Sequence, residues 1–214
     1  MEIYKAVNCC TKTLEFLVIS TVVSFYLLSI YDTITSSSVI IPLYFILLSM
    51  YYYFQLLTKS PGALLDFNHA HIKGLCKKCN RIVGNRTTHC EICNKCYHKR
   101  DHHCVITGKC IASNNSSDLF YTVFFLFIYT ILALNRTTVL KEFMFFYKYM
   151  CLLSFSILLW VTSLLLVDKT TKELFKMNTS VFREIKYRRL CSLLDDGILT
   201  VLCPMIKKKS RVVS

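Results

Sequence analysis

Residues 76–110 read CKKCNRIVGNRTTHCEICNKCYHKRDHHCVITGKC. As a spacing this is C-x2-C-x9-H-C-x2-C-x2-C-x4-D-H-H-C-x5-C, carried by Cys76, Cys79, His89, Cys90, Cys93, Cys96, Asp101, His102, His103, Cys104 and Cys110. Seven of the 12 cysteines and four of the 6 histidines lie in this stretch. A secreted disulfide scaffold does not intersperse its cysteines with His in this way. Thiols and imidazoles at short, fixed gaps point to metal binding in a reducing compartment, so the segment is expected to face the cytosol. A two-residue gap lets two thiolates grip one tetrahedral zinc at ~2.3 Å per Zn–S bond, and three such gaps with further His and Cys suffice for two closed sites. Two tetrahedral sites take eight ligands, whereas the pattern offers seven Cys and three His. Two of these ten donors, one Cys and one His where a thiol is spared, are left for chemistry, and spacing alone leaves open which they are and how the ligands divide. The acidic-His-His-Cys run stands apart from a plain zinc knuckle. An Asp beside a His holds the imidazole in one tautomer and raises its basicity, and such a His can take the proton of a nearby thiol.

Outward from this stretch the chain becomes apolar. It is 54% hydrophobic and yet carries a formal charge of +13 over 214 residues. Segregation explains the combination, with apolar spans in lipid and basic segments at the membrane surface. Four runs are expected to span a bilayer: Leu14–Ile30, Val39–Leu57, Leu119–Leu134 and Met150–Val167, each about 16–19 residues. Two are slightly short, which suits a thin membrane such as the endoplasmic reticulum. The first run is too long, and lacks the small-residue cleavage site, to read as a removed signal peptide. Lys and Arg number 2 in the N-terminal arm, 10 in 58–118 and 11 from Asp168 onward, so 23 of 26 fall on one side. The positive-inside rule makes that side cytosolic, and an even number of spans puts both termini there. The segment 58–118 has no long apolar helix and is expected to need metal to fold. No fixed-period internal repeat is evident.

The run Asp101-His102-His103-Cys104, inside this cysteine-rich segment and between the second and third of four spans, resembles the DHHC family of protein S-acyltransferases. The similarity covers the whole segment in register and, more loosely, all four spans. Thr170-Thr171-Lys172-Glu173 after the fourth span resembles the family's TTxE motif, and Ser60-Pro61-Gly62 after the second its DPG motif, with Ser for Asp. The resemblance implies an α-helical polytopic membrane protein whose four transmembrane helices carry a cytosolic zinc-binding domain between helices 2 and 3. The expected division is 1–57, 58–118, 119–167 and a basic cytosolic tail, 168–214. It implies that Cys76, Cys79, His89 and Cys96 hold one structural Zn2+ and Cys90, Cys93, His103 and Cys110 another. It makes Cys104 the acylated nucleophile, His102 its general base and Asp101 the residue that orients His102. Thr171 becomes the partner of Asp101, and Glu173 a structural neighbour. The implied activity is protein S-palmitoylation: acyl transfer from palmitoyl-CoA to cytosolic cysteines of membrane-associated proteins, through an acyl-enzyme. The implied residence is the endoplasmic reticulum or Golgi. The basic segments suit CoA phosphates and anionic lipid heads; no nucleic acid is expected as a partner.

Val105-Ile106 stands where the family has Pro-Trp, and Lys109 where it has Asn. The alternative is therefore a catalytically weak or inactive scaffold of the same family. A RING-type ligase is disfavoured, because its closing C-x2-C is missing after Cys104. His69, His71 and His98 fall outside the ligand pattern and read as surface residues. Asn135-Arg136-Thr137 forms a glycosylation sequon on the expected luminal side.

Overall fold

In hydrocarbon a backbone has no partner but itself, so long apolar runs become helices. The computed structural model describes residues 2–36, 39–62, 72–135, 141–176 and 201–202. Four long helices carry the apolar runs: α1 Glu2–Ile34, α2 Ile40–Thr58, α3 Ser116–Leu134 and α4 Lys141–Val167. A short α5, Thr171–Lys176, follows. Pro42 falls in the first turn of α2, where a missing N–H costs no helical hydrogen bond. The apolar spans are Thr11–Ile34, Ile40–Thr58, Ser116–Leu134 and Met144–Val167, of 24, 19, 19 and 24 residues. These windows contain the expected runs 14–30, 119–134 and 150–167 and extend beyond them. The helices continue through polar residues that flank the apolar runs, among them Thr11, Thr13, Ser116, Ser117 and Lys148.

The helix α3 packs between α2 and α4, and α1 lies against α2. Lipid chains are as apolar as Leu, so close packing and polar ties hold such a bundle. Tyr26 on α1 hydrogen-bonds Ser49 on α2 at 2.9 Å, and the Ser49 hydroxyl donates to the Thr122 carbonyl on α3 at 2.9 Å. At the opposite end from the cysteine-rich segment, the Tyr129 hydroxyl reaches the Ser29 carbonyl and the Tyr147 hydroxyl, both at 3.1 Å, and Tyr147 donates to Asp32 at 3.0 Å.

Between α2 and α3 the chain forms three two-stranded antiparallel hairpins: β1 Ile72–Cys76 with β2 Arg81–Gly84, β3 Thr87–Cys90 with β4 Lys95–His98, and β5 His102–Cys104 with β6 Lys109–Ile111. Among the described residues, no hydrophobic core unites them beyond a small group around Cys90, Tyr97, Cys110 and Ala112. Register places His89 opposite Cys96 and His103 opposite Cys110. The turns after Cys79 and Cys93 both use an Asn in the left-handed region, Asn80 at φ 49° and Asn94 at φ 50°. Asn tolerates that conformation better than most residues.

Ser60-Pro61-Gly62 joins this region to α2. Gly62 has φ 118°, and a Cβ there would sit 3.1 Å from the Ser113 hydroxyl, so glycine is needed both for conformation and for space. The Asn114 N–H donates to the Pro61 carbonyl at 3.2 Å, closing the entry and exit of the hairpin domain onto each other. His98, expected at the surface, is half-buried in β4, where its carbonyl accepts from the Ser113 N–H at 3.3 Å. His69, His71 and most of the sequon and the tail lie outside the described residues.

Candidate active site and metal centres

Two donor groups form among the hairpins. Cys76, Cys79, His89 and Cys96 converge on one point and Cys90, Cys93, His103 and Cys110 on another, with the ligand atoms of each group within 4.8 Å of one another. In the first group His89 Nδ1 lies 3.1, 3.7 and 3.9 Å from the sulfurs of Cys79, Cys96 and Cys76. In the second His103 Nδ1 lies 3.2, 3.8 and 3.8 Å from those of Cys93, Cys90 and Cys110. The closest sulfur pairs, Cys79–Cys96 and Cys93–Cys110, are 3.6 Å apart. Disulfides need ~2.05 Å. A tetrahedron built on ~2.3 Å bonds has edges of about 3.8 Å, so both groups have the size of a closed four-ligand site. Three thiols and one imidazole are also the donor set that zinc prefers.

The ligand division has a simple origin in the sequence. Cys76, Cys79, His89 and Cys96 recur as Cys90, Cys93, His103 and Cys110, each fourteen positions later. The ligands thus form an interleaved repeat of fourteen residues, which corrects the expectation that the chain holds no fixed-period repeat. Each unit supplies a Cys-x2-Cys turn after one strand and a His–Cys pair across the next hairpin.

The odd cysteine is Cys104, at the end of β5. It is 8% exposed and packs against Leu56 of α2, Ile111 and Leu119 of α3. Two residues before it, His102 Nδ1 donates to Asp101 Oδ2 at 2.7 Å. The His102 side chain also interacts with the Cys104 thiol, by hydrogen bond and by charge. Burial works against the imidazolium, but Asp101 and Cys104 outweigh it and raise His102 to about 9. Burial likewise opposes the Cys104 thiolate, yet His102, Thr107 and the Ile106 N–H bring the thiol below its ordinary range. Asp101 is largely covered and nevertheless stays below the usual carboxylate range: burial opposes its charge, while His102 and Thr171 stabilise it.

The remaining partner of Asp101, Thr171, comes from the start of α5, just past the end of α4. After Val167 the chain makes a Schellman turn, with Asp168 at φ 49°, the Asp168 N–H on the Leu165 carbonyl and the Lys169 N–H on that of Leu164. Thr170 and Glu173 then form a capping box: Glu173 Oε2 accepts from the Thr170 N–H at 2.8 Å, and Thr170 Oγ1 from the Glu173 N–H at 3.3 Å. This leaves the Thr171 N–H free to donate to Asp101 Oδ1, while the Thr171 hydroxyl donates to Oδ2 at 3.0 Å. Glu173 has a second partner. Arg86, itself left-handed at φ 62°, grips it bidentately at 2.7 and 2.8 Å and donates to the Asp168 carbonyl at 2.8 Å. The structure thus brings Asp101, His102, Cys104, Thr171 and Glu173 into one connected group.

Asp101, His102 and Cys104 line the mouth of a cavity of about 580 Å³ that descends among the four long helices to Phe25, Phe146 and Met150. Its walls are almost wholly apolar, with Lys99 and Lys169 near the opening. Ile106 lines it too, and the Tyr53 hydroxyl of α2 donates to the Ile106 carbonyl at 2.8 Å, pinning the turn after Cys104. Tyr53 went unnoticed in the sequence, as did Glu15 of α1, which accepts from His103 Nε2 at 2.7 Å. An acidic residue just inside an apolar run was the available signal for Glu15.

The fold and site are those of a polytopic membrane protein whose cysteine-rich domain sets Asp101, His102 and Cys104 at a cavity lined by four long helices. A family model described as DHHC palmitoyltransferase matches residues 69–177, and the chain belongs to that family. A search of curated proteins found no match.

Proposed function

We propose that this chain is a protein S-palmitoyltransferase that carries its acyl group on Cys104. The observation that supports this most is the line Thr171–Asp101–His102–Cys104 at the mouth of an apolar cavity. With Nδ1–H held by Asp101, His102 presents Nε2 to the thiol and takes its proton. The Cys104 thiolate attacks the thioester carbonyl of palmitoyl-CoA. The carbonyl carbon–sulfur bond to CoA breaks, and CoA leaves with the proton returned by His102. A cytosolic cysteine of a membrane-associated protein then loses its proton to His102 and attacks the Cys104 thioester, releasing the thiol. Each step exchanges one thioester for another, so no ATP is needed and the kinetics are ping-pong. The acyl chain occupies the cavity, where burial contributes ~0.8 kcal/mol per CH2.

The two donor groups suit structural Zn2+: Cys76, Cys79, His89 and Cys96 for one ion, Cys90, Cys93, His103 and Cys110 for the other. A closed four-ligand site folds the hairpins and offers no position for water. The division into 1–57, 58–118, 119–167 and 168–214 serves as the working description of membrane, catalytic, membrane and tail segments. The charge asymmetry supports a cytosolic domain and cytosolic termini. The 19-residue α2 and α3, ~28 Å long at ~1.5 Å per residue, support a thin endomembrane of the endoplasmic reticulum or Golgi type.

The alternative is an acylation-dead scaffold of the family, favoured only by Val105-Ile106, which stand exposed at 38% and 46% beside the nucleophile. Clickable palmitoyl-CoA separates the two. The expected result is hydroxylamine-sensitive label on the wild type and none on Cys104→Ala. Unlabelled wild type that is folded and zinc-loaded supports the scaffold.

A further inference from the structure

The two donor groups share their spacing but not their surroundings. The Nε2 atom of His89 is buried without a hydrogen-bond partner among the described residues; the carboxylate of Glu91 stands 4.0 Å away and more than half exposed. The Nε2 atom of His103 instead meets Glu15 Oε1 at 2.7 Å, and both side chains are well covered, 7% and 13% exposed. Glu15 belongs to α1, inside the span Thr11–Ile34, which holds just one other acidic residue, Asp32. A carboxylate within a span is costly and needs a compensating partner. Here the partner is a metal-site histidine from a different part of the chain.

We propose that Glu15 is a positioning residue for the second metal site, acting through His103. This rests on the reading that Cys90, Cys93, His103 and Cys110 bind zinc. Accepting the Nε2–H of His103 fixes the tautomer that leaves the Nδ1 lone pair for the metal and locks the ring plane, as outer carboxylates do at histidine-ligated metals. The same helix also supports the turn that follows. Gly108, at φ 61°, lies so close to α1 that a Cβ there would be 3.4 Å from Glu15 Oε2 and 3.5 Å from Ile19 Cδ1. Because His103 precedes Cys104 directly, a membrane helix is clamped to the strand that carries the nucleophile. Among the described residues the first donor group has no such brace.

The test is zinc release from the full-length protein in detergent micelles, with the metal counted at the start and a chromogenic chelator following its loss. Glu15→Leu is expected to release one of the two zincs ~10–100-fold faster, leaving the other phase unchanged. Glu15→Gln, whose amide oxygen still accepts the Nε2–H without the charge, is expected to fall between. Wild-type rates for both zincs in Glu15→Leu overturn the proposal. Should that variant not fold, the Gln variant decides: faster loss of a single zinc supports it, and two wild-type phases overturn it. A wild-type protein with its second donor group empty overturns the metal reading itself, and this inference with it.

Discussion

The two donor groups are copies in sequence and opposites in setting. The first is the outlying one: Cys76 and Cys79 are partly exposed, and beside them Lys78 and Glu91 pair at 2.5 Å with both side chains more than half open to solvent. The second is enclosed, with Cys90 2% and Cys110 0% exposed, braced by Glu15, and continuous through His103 with Cys104. Identical donor sets at identical spacing therefore sit in different surroundings. The first is placed to hold hairpins together. The second is placed to do this and, through His103, to hold Cys104 against the helix bundle.

The comparison breaks most visibly when a ligand is removed from each group. His103→Ala is expected to lose one zinc and all measurable acylation, since the strand bearing Cys104 loses its anchor. Cys79→Ser is expected to lose the other zinc yet retain residual acylation, read by clickable palmitate and metal analysis on the same folded fractions. Equal loss of activity in both would show that the two sites are not specialised.

A sharper test lies in the pH dependence. Cys104 is drawn below its ordinary range and His102 is raised to about 9, and both shifts favour a thiolate–imidazolium pair. Self-acylation should rise as pH climbs through the Cys104 range and hold until His102 gives up its proton. Asp101→Asn removes the charge that stabilises the imidazolium, so His102 falls and Cys104 rises. The acid limb then moves to higher pH, and the rate at neutral pH drops on the order of 10²–10⁴-fold. An unmoved limb would dissociate Asp101 from the thiol. Breaking the Arg86–Glu173 fork with Arg86→Ala touches the same site from one step further out. The half-buried, bidentate pair suggests a loss of about 1–3 kcal/mol in the docking of α5, seen as a lower thermal midpoint and an acylation defect milder than that of Asp101→Asn. At the small end, Lys78→Ala beside the first site should change neither zinc content nor acylation measurably, because exposed ion pairs contribute little.

Much of this was legible in the chain. The hydropathy of four runs gave the helices, and the Asp101–Cys104 run within its cysteine spacing gave the family. The ligand partition was also written there, in the fourteen-residue recurrence of Cys76, Cys79, His89 and Cys96, though reading the gaps one by one left it open. Other features depend on contacts between distant segments. Nothing local tells that Glu15 meets a residue 88 positions away, or that Arg86 closes on Glu173 across 87. A carboxylate near the end of an apolar run looks like an interfacial charge until a partner is seen. The cavity is likewise a property of how four helices diverge beneath Cys104, and spans alone carry no crossing geometry.

The most direct measurement is mass spectrometry of the purified, zinc-loaded chain after brief exposure to palmitoyl-CoA with no acceptor protein. Cys104 is expected to carry a hydroxylamine-labile palmitoyl ester, with a burst of about one CoA released per chain. Folded protein that takes up no acyl group at Cys104 under these conditions contradicts the account.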